Sequence, residues 1–139
     1  MSLHGINHCA LRVRNLDRAE AFYVGLLGLE RVGERPGMRF YSSGRHPHEL
    51  ALVEDPRFTG PGPGLAHIGW HLTDETAFRE LHHRLADAGW PVGPIVDHTI
   101  SHGFYLRDPD GYLLEMVLDR PAGEWQGRAD AFRRDRIID

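Results

Sequence analysis

The chain has 139 residues, 41% hydrophobic and 26% charged, with a formal net charge of −4, a composition that suits one compact soluble domain. Its 16 basic residues are all Arg and are scattered, without the basic stripe and interleaved aromatics of a nucleic-acid surface, and no apolar run approaches the roughly 20 residues that span a bilayer. The single cysteine, Cys9, rules out an intrachain disulfide, and the start Met-Ser-Leu-His-Gly has no signal-peptide pattern, so the expected location is the cytoplasm.

Gly5 to Arg14 alternates as a strand, with Ile6, His8, Ala10 and Arg12 on one face. Asn15 is placed to cap a helix whose apolar positions Leu16, Ala19, Phe22, Tyr23, Leu26 and Leu27 recur at helical spacing, and Gly28 stops it. Leu29–Gly33 and Met38–Ser42 read as strands around Arg35-Pro36-Gly37, and His48–Glu54 as a fourth strand. Asp55 to Gly64 holds three prolines and three glycines and reads as a linker.

The pattern then restarts. Ala66–Leu72 is a strand that carries His67. Thr73 or Asp74 caps a helix with Phe78, Leu81 and Leu85 on one side, and Gly89 stops it. Short strands follow at about 92–97 and 103–107. Asp108-Pro109-Asp110-Gly111 has the Pro and Gly of a tight turn, and it leads into the last strand, Tyr112 to Leu118. Two β-α-β-β-β modules result, about 4–55 and 64–118, and His8 and His67 occupy matching places in their first strands. Residues 1–120 form the expected domain, while 121–139 look like an exposed, charged appendage with a short helix.

Ten histidines are many for this length, and imidazole is the commonest side-chain ligand for transition metals. His4 lies at a loose end, and His82 and His83 suit the solvent face of a helix. Glu115 is different, because a carboxylate among Leu113, Leu114, Met116 and Val117 must be paired, protonated or bound to a cation. Two imidazoles and one carboxylate are what a non-haem Fe(II) centre requires, so His8, His67 and Glu115 are the candidate metal ligands.

The two modules with these three residues, and the ending Tyr-Leu-Arg-Asp-Pro-Asp-Gly-Tyr-Leu-Leu-Glu, resemble the vicinal oxygen chelate superfamily of glyoxalase I, bleomycin-binding proteins, epimerases, fosfomycin-resistance enzymes and extradiol dioxygenases. The resemblance implies an α+β fold in which two paired βαβββ modules form an open barrel around a metal site. Several residues look most like the extradiol branch. His48-Glu-Leu-Ala-Leu52 matches the strand that carries a catalytic histidine near the metal, Tyr105 stands ten residues before the carboxylate, and Asp97-His98-Thr-Ile-Ser-His102 resembles a segment that supplies a further histidine, either His98 or His102. That likeness implies Fe(II), or alternatively Mn(II), with an aromatic diol and dioxygen as substrates, and a homodimer.

The main alternative within the superfamily is a glyoxalase- or epimerase-type enzyme using Zn(II), Ni(II) or another divalent ion, with Glu49 as a fourth ligand. Strand alternation would point His48 and Glu49 to opposite faces, so only one of them should enter the cavity. A non-catalytic drug-binding protein of the bleomycin-resistance kind is a second alternative.

Overall fold

A computed structural model describes residues 2–138. The contacts divide the chain into two units, the first reaching Gly62 and including Pro109–Gly111, the second formed by Pro63–Asp108 and the segment from Tyr112 onward.

In the first unit, β1 (Cys9–Val13) is followed by α1 (Leu16–Glu20), which continues as a π-helical turn over Ala21–Leu26. Asn15 caps α1, its side-chain oxygen accepting the Arg18 N–H at 2.8 Å, and Gly28 ends the helical stretch at a φ of 85°, a conformation that needs no Cβ. Strands β2 (Glu30–Arg35), β3 (Met38–Ser42) and β4 (Leu50–Glu54) complete a sheet of order β1-β4-β3-β2. Strand β4 pairs with β1 in parallel and with β3 antiparallel.

The second unit repeats this arrangement. Its strands are β5 (Ile68–His71), β6 (Val96–Asp97), β7 (Ser101–Arg107) and β8 (Leu113–Asp119), with α2 (Glu75–Asp87) between β5 and β6. The order is β5-β8-β7-β6, again first, fourth, third, second, and β5 and β8 are parallel. The chain therefore has the expected α+β class and two β-α-β-β-β modules; the strands form two separate sheets and are not closed into one barrel.

Each sheet buries one face, and alternation decides which residues lie there. In the second unit Phe104, Leu106, Leu114, Met116 and Leu118 are buried on the side of α2, where Phe78 meets Phe104 with ring centroids 5.2 Å apart. Such an aromatic pair adds about 0.5–1.5 kcal/mol beyond the area it buries. In the first unit Leu11, Val13, Tyr41, Leu50 and Leu52 play the same part. The residues between them are left for the opposite faces: Ala10, Phe40 and Ala51 in one sheet, Gly69, Gly103, Tyr105 and Glu115 in the other.

Several boundaries differ from the sequence reading. His8, His48 and His67 stand just outside β1, β4 and β5 rather than inside them. The strand expected at about 92–97 shrinks to Val96–Asp97, with Val92 making only an isolated bridge to Leu106. Asp74, not Thr73, caps α2, accepting the Ala77 N–H at 2.8 Å. His82 does not face solvent freely: its Nε2 lies 3.0 Å from the Gly93 carbonyl oxygen, and its ring sits edge-on to Phe104.

The segment 121–138 contains the expected short helix and a further strand. After the short helix α3 (Ala122–Trp125), the segment buries Ala131 and forms β9 (Arg136–Ile137). Strand β9 pairs antiparallel with β6 and covers what would be the open edge of that sheet. Unpaired edge strands attract other chains, and two residues of ladder suffice here because β6 itself is only two residues long.

The Asp108–Gly111 stretch is the expected tight turn. Gly111 has a φ of 95°, and Asp108 Oδ1 accepts the Tyr112 N–H at 3.0 Å. Asp110 adds a role that a turn residue alone would not predict. Within the first unit its Oδ1 accepts from the Arg14 backbone N–H at 2.8 Å and from the Arg18 guanidinium at 3.0 Å.

Candidate active site

In the second unit, register places Tyr105 directly opposite Glu115 on β8, and Gly69 on the other side of Glu115. The Glu115 side chain is only 12% exposed, with His67 Nε2 at 3.2 Å from one carboxylate oxygen and His98 Nε2 at 3.2 Å from the other. The isolated buried carboxylate inferred from the sequence is thus flanked by two imidazoles. The Tyr105 ring stands edge-on to both His67 and His98. Burial, then the Glu115 charge and its hydrogen bond to the phenol, push the Tyr105 hydroxyl above its ordinary value. Tyr105 therefore keeps its proton at neutral pH and presents it as a donor.

Gly103 explains how the carboxylate fits. It shares the face of Tyr105 and Glu115, and a Cβ built on it would lie 2.6 Å from Glu115 Oε1. A glycine inside a strand marks close approach by another group; here that group is the carboxylate.

His98 and His102 part company. His102 pairs with Leu118 and Asp97, on the opposite face of the strand from Glu115. It lines a polar cleft of about 660 Å³ with Asp97, Arg120 and Glu124. Burial, reinforced by the Arg120 charge, lowers its pKa. His102 is therefore not beside Glu115, contrary to the possibility left open by the sequence. His98 is held on the Glu115 side by a two-residue hairpin, in which His98 N–H donates to the Ser101 carbonyl at 2.8 Å. Thr99 in that turn has a φ of +74°, unusual for a β-branched residue, and Asp97 Oδ1 accepts its N–H at 2.8 Å.

In the first unit, the His8 and His48 rings are 4.5 Å apart, and the Phe40 ring packs edge-on to His48 at 5.3 Å. His8 Nδ1 lies 2.8 Å from Asn7 Oδ1. That contact engages Nδ1 and leaves Nε2 as the nitrogen that could meet a metal, the arrangement usual in a metal-ligating histidine. Glu49 turns elsewhere. Its carboxylate accepts the backbone N–H of Ser43 at 2.6 Å and of His46 at 3.2 Å. Burial opposes its ionisation, but those donors win and hold it below the usual carboxylate range.

The duplicated registers carry a further comparison. Two residues after His67, Gly69 pairs with Glu115; two residues after His8, Ala10 pairs with Ala51. The first unit thus has alanine where the second has its carboxylate. Among the described residues, no three His, Cys, Asp or Glu side chains converge as a metal cage. His67 and Glu115 come together within the second unit, while His8 belongs to the first.

The sequence pattern of the Glyoxalase/Bleomycin resistance protein/Dioxygenase superfamily matches residues 5–116. The chain belongs to that superfamily. Among similar superfamily proteins is a catechol-2,3-dioxygenase of Bacillus subtilis, 30% identical over 125 residues, which cover 87% of this chain and 44% of that protein. Another is a biphenyl-2,3-diol 1,2-dioxygenase of Rhodococcus globerulus, 28% identical, covering 81% of this chain and 62% of the relative. The chain thus spans about half the length of these relatives. Among solved structures, a lactoylglutathione lyase from Agrobacterium tumefaciens aligns with 92% of this chain and all of its own, at 25% identity and a TM-score of 0.66. Superfamily membership is shown and the fold agrees with it; the reaction must be argued from the site.

No helix among the described residues is long and apolar enough to cross a membrane. Sequence reasoning missed Gly103, although a glycine in a strand was a usable signal, and it missed the C-terminal segment beside His98, for which no local signal exists.

Proposed function

We propose that the chain is an Fe(II)-dependent extradiol ring-cleaving dioxygenase acting on a catechol-type aromatic diol, with His8, His67 and Glu115 as the metal ligands. The observation that carries this reading is the contrast between neighbours in the first unit: the His48 ring packs against His8, whereas the Glu49 carboxylate closes the Ser43–His46 loop. A lyase of the four-ligand type needs a carboxylate from this unit. Ala51 occupies the register position where one would stand, so a two-histidine, one-carboxylate set suits the residues better. The donor types fit the ion: Glu115 is a buried carboxylate with His67 Nε2 at 3.2 Å, and His8 has its Nδ1 committed to Asn7. Mn(II) would suit the same donors.

A divalent ion bound there supplies Lewis acidity and a template for the two diol oxygens. The protein's own groups supply the rest. The Tyr105 hydroxyl, kept protonated, donates a hydrogen bond to a diol oxygen. His98 Nε2, buried and without an aligned hydrogen-bond partner among the described residues, is available to a second polar atom of the substrate. His48 can take up and return a proton at its imidazole, a role worth about a hundred- to ten-thousandfold in rate. Phe40, packed on His48, fixes that ring. The reading includes a homodimer, as the resemblance to the superfamily implies.

The test is a pair of variants. His48→Gln should retain metal and diol binding while turnover falls by about two to four orders of magnitude, and Glu49→Gln should leave turnover near wild type. The reverse pattern, with Glu49→Gln stripping metal and His48→Gln silent, would establish the lyase-type site instead.

A further inference from the structure

Strand β9 lies beyond residue 116, where the superfamily match ends, and yet it reaches the site. Its ladder with β6 pairs Ile137 with Val96 and Arg136 with Asp97. Continued by one residue, that antiparallel register sets Asp135 opposite His98. Their side chains meet: His98 Nδ1 is 2.8 Å from Asp135 Oδ1. The flanking contacts hold the register, with the Ile138 N–H donating to the Ile95 carbonyl at 3.0 Å and the Arg136 guanidinium 3.4 Å from Asp97.

A carboxylate can only accept, so the hydrogen bond requires the proton on Nδ1. The pairing then fixes two properties of His98 at once. The ring cannot rotate without losing Asp135, and in the neutral ring Nε2 is left as the acceptor. Nε2 is buried, 3.2 Å from Glu115 Oε1, and makes no aligned hydrogen bond among the described residues. A carboxylate oxygen has no proton to give it. With Nδ1 engaged by Asp135, a diol hydroxyl arriving beside Glu115 is the donor that Nε2 of the neutral ring can accept from.

We propose that Asp135 is a positioning residue supplied by the C-terminal strand: it acts through His98, fixing its tautomer and orientation so that Nε2 accepts a hydrogen bond from the substrate hydroxyl. The inference rests on the dioxygenase reading for the identity of the substrate, but not for the Asp135–His98 pairing. It makes the segment after Asp119 part of the site, and it separates His98 from the other Asp–His contact of this sheet. His71 and Asp119 lie 2.7 Å apart, but the His71 side chain is 58% exposed where that of His98 is 19%; the two carboxylates are similarly exposed, so the burial of the ring is what separates the pairs.

The experiment uses the full chain in three forms: wild type, Asp135→Asn and the conservative Asp135→Glu. Ring-nitrogen NMR of metal-free protein at neutral pH reads the His98 tautomer. Wild type should show a protonated Nδ1. Asp135→Asn should lose that signature, because its amide can also donate and so stabilise the opposite tautomer, and Asp135→Glu should retain it. With metal and a simple catechol, Asp135→Asn should lose turnover by about a hundredfold or more, the scale of a misdirected acid–base group, while Asp135→Glu recovers most of it. An unchanged tautomer in Asp135→Asn, or wild-type turnover in that variant, would overturn the proposal. If wild type cleaves no diol, the dioxygenase reading fails; the tautomer comparison then decides the pairing alone, with loss in Asp135→Asn supporting it and no change overturning it.

Discussion

Gly103→Ala isolates the site from the fold. Gly103 lies in β7 and outside the positive-φ region, so alanine is compatible with the backbone. The replacement also reduces unfolded-state freedom, worth about 0.4–1 kcal/mol in favour of folding. The obstacle is one side chain. The new Cβ would stand 2.6 Å from Glu115 Oε1, 3.3 Å from its Cγ and 3.4 Å from its Cδ. Cγ and Cδ are tight but tolerable, whereas the oxygen is inside contact distance by roughly 0.5–1 Å, judged against the ordinary separation of nonbonded carbon and oxygen atoms. The atom that must yield is the end of a side chain, not backbone, so the sheet survives and the carboxylate moves. Overpacking of this kind costs about 1–3 kcal/mol, largely offset by the chain-entropy gain. A displacement near 1 Å at a reacting centre costs about a hundredfold in rate. Thermal denaturation of Gly103→Ala should therefore stay within a few degrees of wild type, while metal affinity, measured by competition with a chelator, falls by about tenfold or more. A variant that binds metal and turns over substrate like wild type would refute the claim that Gly103 makes room for Glu115.

Removing a proposed metal ligand should behave differently from removing a supporting residue: His67→Ala and Glu115→Ala should each lose bound metal, and full metal content in both would remove the assignment. His102 is held below its ordinary pKa by burial and Arg120, so its neutral form stabilises the fold fully above the unfolded value near 6.5. That contribution is lost as pH falls through the lower folded value, and in His102→Gln the loss of stability from about pH 6.5 downward should be shallower in pH-dependent melts. Asp74→Ala removes the cap of α2, and denaturant titration should show a loss of about 0.5–2 kcal/mol.

The repeat was legible because it is written in spacing: His8 and His67 each precede a strand, a helix and a glycine stop. The helix cap at Asn15 and the turn at Gly111 were legible because local chemistry decides them, and the α2 cap was narrowed to Thr73 or Asp74. Strand ends were less so, since the β propensity of His8 and His48 does not reveal where a ladder runs out of partners. The choice between His98 and His102 was within reach of alternation. Counting back from Tyr105 puts Gly103 on its face and His102 on the other, once β7 is known to begin at Ser101. His98 needed the hairpin, and therefore the φ of Thr99, which a β-branched residue does not advertise. Alternation separated His48 from Glu49 without saying which turns toward His8; that follows from the backbone donors of the preceding loop, which hold the Glu49 carboxylate. Asp135 was illegible: it meets His98 through a two-residue ladder formed 37 positions away in sequence, and nothing local to either residue encodes it.

Cleavage of a catechol ring with dioxygen is the proposed reaction of this chain. The most direct measurement is an aerobic assay of the Fe(II)-loaded chain with simple catechols, following oxygen uptake and the yellow ring-fission product together. The account predicts both, in equal molar amounts, with loss of both in Glu115→Ala. A metal-loaded protein that consumes no oxygen and forms no coloured product, while showing activity of the lactoylglutathione lyase type, would contradict it.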